Sequence, residues 1–202
     1  MLYPTYAVVF FESTLFAGRC DILYSDMIYI ETERLSLKAL TSEQLDLYLS
    51  DRDRLEVELG ISISQSVMTE RVKRAVGMKM AKMALADIEK HPWYTYWLIV
   101  VNDERFGAGL IGFKGVPDAE GEVEIGYGID PLYQNRGYVT EAARAMIAWA
   151  FQEPECKAVI APHTSRSNSA SNKVLEKLCM KLYHQTDEEL FWRVYKDDFI
   201  SG

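Results

Sequence analysis

The chain has 202 residues, enough for one domain with a core of its own. Hydrophobic residues make up 49% and charged residues 26%, a balance that excludes a disordered chain, and the net charge of −8 argues against a nucleic-acid backbone as partner. No apolar run approaches the roughly 20 residues that cross a bilayer, so no membrane partner is expected.

Residues 1–26 differ in pattern from the rest of the chain. A short apolar run from Tyr6 to Phe11 is closed by Glu12, and no Lys or Arg precedes it, which is not the pattern of a signal peptide. The expectation is that the domain occupies residues 27–202, starting at Met27, and that 1–26 is an N-terminal extension. The alternative is an extra strand on a sheet edge.

Residues 28–40 read as a strand through Ile28, Ile30, Leu35, Leu37 and Ala39. Thr41 or Ser42 then caps a helix reaching about Leu49. Residues 51–66 are charged and then serine-rich, and read as irregular. Thr69 caps a long helix to about Lys90, with a stripe of Val72, Val76, Met80, Met83, Ala84 and Ile88, ended by His91-Pro92. Residues 94–101 and 106–114 form a hairpin around the turn 102–105. A strand over 122–129 puts Val123, Ile125, Tyr127 and Ile129 on one face and Glu122 and Glu124 on the other. A helix over 137–152, a short strand over 157–161, a helix over 168–178 and a strand pair over 182–186 and 190–195 complete the chain. The mixture of strands and helices is α/β or α+β.

The passage Gln134-Asn135-Arg136-Gly137-Tyr138-Val139-Thr140 joins strand to helix and carries the physics of an anion site. A helix N-terminus offers free backbone N–H groups and the positive end of its dipole. Gly137 allows positive φ and close backbone approach; Asn135 tolerates a left-handed position; Thr140 adds a hydroxyl and Arg136 a charge. An ordinary capped helix is the alternative. The G-x-G-x-x-G and Walker spacings are absent.

The stretch 126–142, Gly-Tyr-Gly-Ile-Asp-Pro-Leu-Tyr-Gln-Asn-Arg-Gly-Tyr-Val-Thr-Glu-Ala, resembles motif A of the GNAT N-acetyltransferases, with its Q/R-x-x-G-x-G/A core. Residues 168–178, Asn-Ser-Ala-Ser-Asn-Lys-Val-Leu-Glu-Lys-Leu, resemble the N-x-x-S-x-x-V-L-E-K-L helix of motif B, and Glu31-Thr32-Glu33-Arg34-Leu35 is similar to the opening strand of the ribosomal-protein N-terminal acetyltransferase (RimJ/RimL) type. The resemblance implies a GNAT fold: a mixed central sheet splayed at the acetyl-CoA site, with helices on both faces. It implies transfer of the acetyl group of acetyl-CoA to a primary amine, on a protein N-terminus or a small molecule, by direct attack. An acetyl-CoA-binding module with little turnover, acting in regulation or assembly, is the alternative. A monomer or homodimer is expected.

The same resemblance implies site residues. Tyr127, Gly128 and Ile129 would pair their backbone with the pantetheine arm, and an N–H near Gly128 would serve as oxyanion donor. Gln134, Asn135, Arg136, Gly137, Tyr138, Val139 and Thr140 would hold the pyrophosphate, and Asn168 would tie the second motif helix to the ligand. Glu124, thirteen residues before Gly137, is the expected general base acting through water, and Ser171 the group offered to the leaving sulfur. A solvated carboxylate and a small packing residue are the plain readings of these two.

The chain departs from the family at four positions. Val139 stands where a Gly or Ala is usual, Asn135 where many relatives have Gly, and Leu175 where many carry a tyrosine general acid. Cys179 replaces a glycine after the motif B helix and is expected to be a buried small hydrophobe. No metal is expected: His91, His163 and His184 lack ligand spacing. Cys20, Cys156 and Cys179 form no C-x-x-C, so neither zinc site nor disulfide framework is expected, and a reducing cytoplasm is the natural setting.

Overall fold

The computed structural model describes Val8–Val9 and residues 28–201. The rest of the 1–26 extension, Cys20 included, lies outside the described residues. Among the described residues one mixed sheet of ten strands carries the fold. Its strands are β1 (Val8–Val9), β2 (Tyr29–Glu31), β3 (Leu35–Ala39), β4 (Ser62–Ile63), β5 (Trp97–Val101), β6 (Phe106–Phe113), β7 (Glu122–Ile129), β8 (Ala158–Ser165), β9 (Lys181–Gln185) and β10 (Glu189–Tyr195). They lie in the order β1-β2-β3-β5-β6-β7-β8-β10-β9, with β4 added parallel to β6. The pairs are antiparallel except β4–β6 and β7–β8.

The sheet is covered on both faces, which is why β5 reads as an unbroken apolar run rather than an alternation. Trp97, Ile99 and Val101 pack into the core formed with α5 (Tyr138–Ala150) and α6 (Ser169–Lys177). Leu98 and Val100 point the other way, into a second core with α1 (Ser42–Ser50), α2 (Arg52–Leu59) and α3 (Glu70–Met83). On that second face the buried Lys79 donates to the carbonyls of Tyr94, Thr95 and Phe113 at 3.2, 2.9 and 2.6 Å, clasping α3 to the sheet; burial lowers its ammonium to about 7.

Local chemistry explains where the sequence-based expectations need correction. The strand expected over 28–40 is a hairpin, β2 and β3. Thr32 breaks it, its N–H donating to the Leu35 carbonyl at 2.8 Å and its Oγ1 accepting from the Leu35 N–H at 3.0 Å. The segment 51–66 is not irregular: α2 is capped by Asp51 and stopped by left-handed Gly60, and β4 comes next. Leu55 is the buried residue of α2, so no apolar stripe announced it. The long helix ends at Met83 rather than Lys90, leaving Ile88 75% exposed, and His91-Pro92 opens a short helix, α4 (His91–Tyr94), instead of ending one. The strand expected over 157–161 runs to Ser165, and α7 (Lys196–Ser201) succeeds the final strand. Cys179 is exposed, not buried, and takes the left-handed conformation (φ +60°) that a glycine adopts without strain. Of the aromatics around the start of β5, Trp93 and Trp97 are core, and Tyr94 and Tyr96 pack at the margin of the second core.

Candidate functional site

The site begins where β7 and β8 part. They pair through Glu122–Ala158, Val123–Val159 and Glu124–Ile160, and then separate while β8 continues along β10. The far half of β7 keeps β6 as neighbour, from Ile125–Phe113 to Ile129–Gly109. The Lys114 N–H reaches the Glu124 carbonyl at 2.9 Å and the Asp130 N–H reaches the Ala108 carbonyl at 2.8 Å. Backbone groups alternate sides along a strand. The even-numbered residues of β7 therefore bond towards β6, and Ile125, Tyr127 and Ile129 turn their N–H and C=O groups into the opening. Gly128 itself bonds towards β6, so the N–H groups that open into the gap are those of Tyr127 and Ile129.

That opening is one wall of a cavity of about 280 Å³ lined by Tyr127, Gly128 and Ile129, by the turn into α5, and by one face of α6. Of the residues anticipated for the coenzyme, Gln134, Asn135, Gly137, Tyr138, Val139, Thr140, Asn168 and Ser171 also line it. Asn135 (φ +60°) and Gly137 (φ +83°) are both left-handed, and this pair bends the chain so that the first turn of α5 points its N–H groups at the cavity. A side chain on Gly137 would meet Arg34 Nη2 at 3.3 Å in a backbone conformation unsuited to it.

Arg136 is the exception. Its side chain is absent from the cavity wall; the guanidinium pairs with Glu104 at 3.6 Å and lies over the Tyr133 ring. Its carbonyl accepts from Arg34 Nη1 at 3.0 Å. Arg34 also grips Glu141, in the first turn of α5, through Nε at 2.7 Å and Nη2 at 2.6 Å, and Thr32 Oγ1 donates to the same carboxylate at 2.7 Å. The turn between β2 and β3 thus straps the phosphate-type loop. Sequence reasoning missed this strap because its partners lie 107 residues apart.

Two cations were missed as well. Lys173 and Lys177 line the cavity from α6, one helical turn apart. The spacing places them on one face, but only the docking of α6 beside the start of α5 brings that face to the cavity. Opposite the turn, Asn168 Oδ1 accepts from the Ser171 N–H at 3.1 Å and caps α6. Ser171 Oγ lies 2.9 Å from the Tyr127 hydroxyl.

Glu124 does not line this cavity. It projects to the other face of the sheet, where Lys114 Nζ stands 2.5 Å from its Oε1, and it borders a groove with Glu122, Lys82 and Lys114. Glu122 is paired with Arg193, at 2.9 Å to Nε. Nearer the opening on that face, Asp130 accepts from Ser64 Oγ at 2.5 Å, Ser66 Oγ at 2.6 Å and the Leu132 N–H at 2.8 Å; these bonds hold its carboxyl below the usual range. They anchor the loop that carries Val67, whose Cγ1 would stand 4.0 Å from a Cβ on Gly128. Among the described residues no cluster of His, Cys, Asp or Glu is placed to hold a metal ion, and no helix is long and apolar enough to cross a membrane.

The profile of the family described as Acetyltransferase (GNAT) domain matches residues 34–181. An uncharacterized N-acetyltransferase, YjdG of Bacillus subtilis (strain 168), is 29% identical over 166 residues, covering 82% of this chain and 97% of the relative. Among solved structures, a GNAT-family acetyltransferase from Bacillus anthracis superposes with a TM-score of 0.57 at 23% identity, covering 84% of this chain and 99% of the other. RimL, a ribosomal L7/L12 alpha-N-protein acetyltransferase solved in complex with coenzyme A, gives a TM-score of 0.57 at 15% identity, over 83% and 97% of the two chains.

Proposed function

Since the chain belongs to the GNAT acetyltransferase family, an acetyl-CoA-dependent acetyltransferase, we propose that it acetylates a primary amine, by direct attack of the amine on acetyl-CoA held in the cavity between β7 and α6. The observation that carries this reading is the parting of β7 from β8, which turns the backbone of Tyr127 and Ile129 into the cavity between the N-terminal turns of α5 and α6. Its chemistry suits acetyl-CoA. Backbone groups on an open strand edge fit an amide-bearing arm, and the first turn of α5 with Lys173 and Lys177 fits its phosphates.

The chain's residues divide the work. Tyr127, Gly128 and Ile129 orient the thioester, with a Tyr127 or Ile129 N–H beside the oxygen that gains charge. Asn135 to Thr140 hold the pyrophosphate by backbone, Arg136 through its peptide groups. Gln134 and Asn168 close the ends of the cavity, and Ser171 faces the leaving sulfur. Glu124 takes the amine's proton through water. Lys114 occupies its Oε1 and leaves Oε2 for that water.

The acceptor is a protein N-terminus, as for the RimJ/RimL type, or a small amine. The RimL likeness favours the first, and the net charge of −8 suits a cationic acceptor of either kind. We place the protein in the cytoplasm, in keeping with the free Cys156 and Cys179, and assign the domain to residues 27–202, in keeping with a family match that begins at 34.

Calorimetry with acetyl-CoA tests the cavity. Wild type should bind and Gly137→Pro should not, because proline cannot take the positive φ and removes an N–H; retained affinity in a folded Gly137→Pro would refute the placement. An acceptor screen with peptides, polyamines, amino acids and aminoglycosides, monitoring release of CoA, tests the reaction.

A further inference from the structure

Tyr127 and Ser171 enter the cavity from opposite sides, one from β7 and one from α6, and meet with their hydroxyl oxygens 2.9 Å apart. We propose that Tyr127 is a positioning residue for Ser171: its phenol donates to Ser171 Oγ, which aims the serine O–H into the cavity as a donor to the thiol sulfur of a CoA ligand. The proposal rests on the acetyl-CoA reading of the cavity.

The oxygen separation alone leaves the direction of the bond open; acidity decides it. A phenol ionises near 10, far more readily than an alkanol. Between two hydroxyls the stronger acid is the better donor and the weaker acid the better acceptor. Burial raises the Tyr127 phenol above its ordinary value, so it keeps its proton at neutral and mildly alkaline pH.

Ser171 is held so that this bond sets its remaining freedom. Its N–H caps onto Asn168, and the next residue, Asn172, accepts from Trp192 Nε1 at 3.1 Å while donating to the Ser165 carbonyl at 3.1 Å. The backbone at Ser171 is therefore fixed from both sides. What remains is rotation about Cα–Cβ, and the phenol selects one setting. One turn further along α6, Leu175 is fully buried and has no proton to give. Tyr127 and Ser171 together bring a hydroxyl where that residue offers none.

In this arrangement both residues keep their protons. As the amine nitrogen bonds to the acetyl carbon and the carbon–sulfur bond breaks, the amine's proton passes through water to Glu124 and the sulfur departs as a thiolate. The serine O–H stabilises that anion, strengthened by the phenol behind it because hydrogen bonds in a chain polarise one another.

A readout independent of turnover tests this. The ultraviolet thiolate band of bound CoA is titrated against pH, with the same protein lacking CoA subtracted to remove its own cysteines. One hydrogen bond to the anion should lower the bound thiol by about one pH unit against free CoA. Tyr127→Phe and Ser171→Ala, each read at saturating CoA, should remove most of that shift. The double variant should lose no more than either single one, because the two act as a unit. Ser171→Thr, which keeps the hydroxyl, should retain it. A full shift surviving in Tyr127→Phe, or losses that add in the double variant, would overturn the proposal. If Tyr127→Phe fails to fold, Ser171→Ala on the helix surface still decides: a shift that persists there overturns it. CoA bound with an unshifted thiol overturns the hydroxyl pair alone, whereas wild type that binds no CoA overturns the acetyl-CoA reading and the pair with it.

Discussion

The two halves of β7 share one strand and have opposite surroundings. Glu122–Glu124 is paired with β8 on one side and bonded to the Lys114 and Asp118 backbone on the other, and its carboxylates are tied to Arg193 and Lys114. From Ile125 to Ile129 β6 remains and β8 is gone, and the face that bore the two glutamates bears Gly126 and Gly128. A Cβ at Gly126 would meet nothing within 4 Å, and one at Gly128 would meet Val67 at 4.0 Å. The closed half thus supplies fixed charge, and the open half supplies backbone groups with room around them. A strand that is satisfied everywhere cannot hold a ligand by its backbone, and a strand that is open throughout would not stay in the sheet. Dividing the roles within eight residues meets both demands.

Removing the charge from the closed half should have the largest effect. Glu124→Gln keeps shape and hydrogen-bonding capacity, so folding and acetyl-CoA affinity should hold. Losing a general base typically costs about 10²–10⁴ in rate. The deficit should shrink as pH rises and more of the amine is already neutral. Profiles of kcat/KM against pH for both proteins check this, and parallel profiles less than about threefold apart would remove Glu124 from the reaction.

Forcing the open half outward should come next. A Cβ on Gly109 would stand 2.4 Å from the Gly128 carbonyl oxygen and 3.0 Å from Ile129 Cα, closer than side chains sit to backbone. No strand backs the open half, so β7 should give way into the cavity. Gly109→Ala should cost about 1–3 kcal/mol, as overpacking does, and weaken acetyl-CoA binding more than a control at Gly77, where a Cβ meets nothing within 4 Å. Thermal melts and calorimetry on the two variants make the comparison. Equal behaviour would mean that the open half is backed by something other than β6.

The smallest effect belongs at the end of the cavity. Val139 lines it from the first turn of α5 and is bulkier than the Gly or Ala usual in the family. Val139→Ala should leave acetyl-CoA affinity unchanged or raise it severalfold. A clear loss by calorimetry would show that the valine is fitted to a different ligand pose.

Much of this site is legible in the sequence. The phosphate-type turn is a local device: Asn135 and Gly137 are the residues that accept positive φ, and both do. Asn168 and Ser171 are three residues apart on a capped helix, so their joint position follows from helix geometry. The alternation along β7 places Tyr127 and Glu124 on opposite faces. The features that escape a reading of the sequence are long in range or weak in pattern. The Arg34–Glu141 strap, the Ser64–Asp130 anchor and the Tyr127–Ser171 contact each join distant segments. Helix α2, carrying one buried residue, has no periodicity to show.

The sequence by itself determined the order of the main elements, the left-handed turn that opens α5 and the placement of Tyr127 and Glu124 on opposite faces of β7. These rest on interactions between neighbours along the chain: φ preferences, caps and the periods of helix and strand. Only the tertiary structure decided that β8 leaves β7 after Glu124, that Arg136 turns its charge to Glu104 rather than to the cavity, and that Lys173 and Lys177 face the same cavity as Gly137. Those outcomes depend on which segments touch, and contact between segments is set by packing the whole sheet between its two cores.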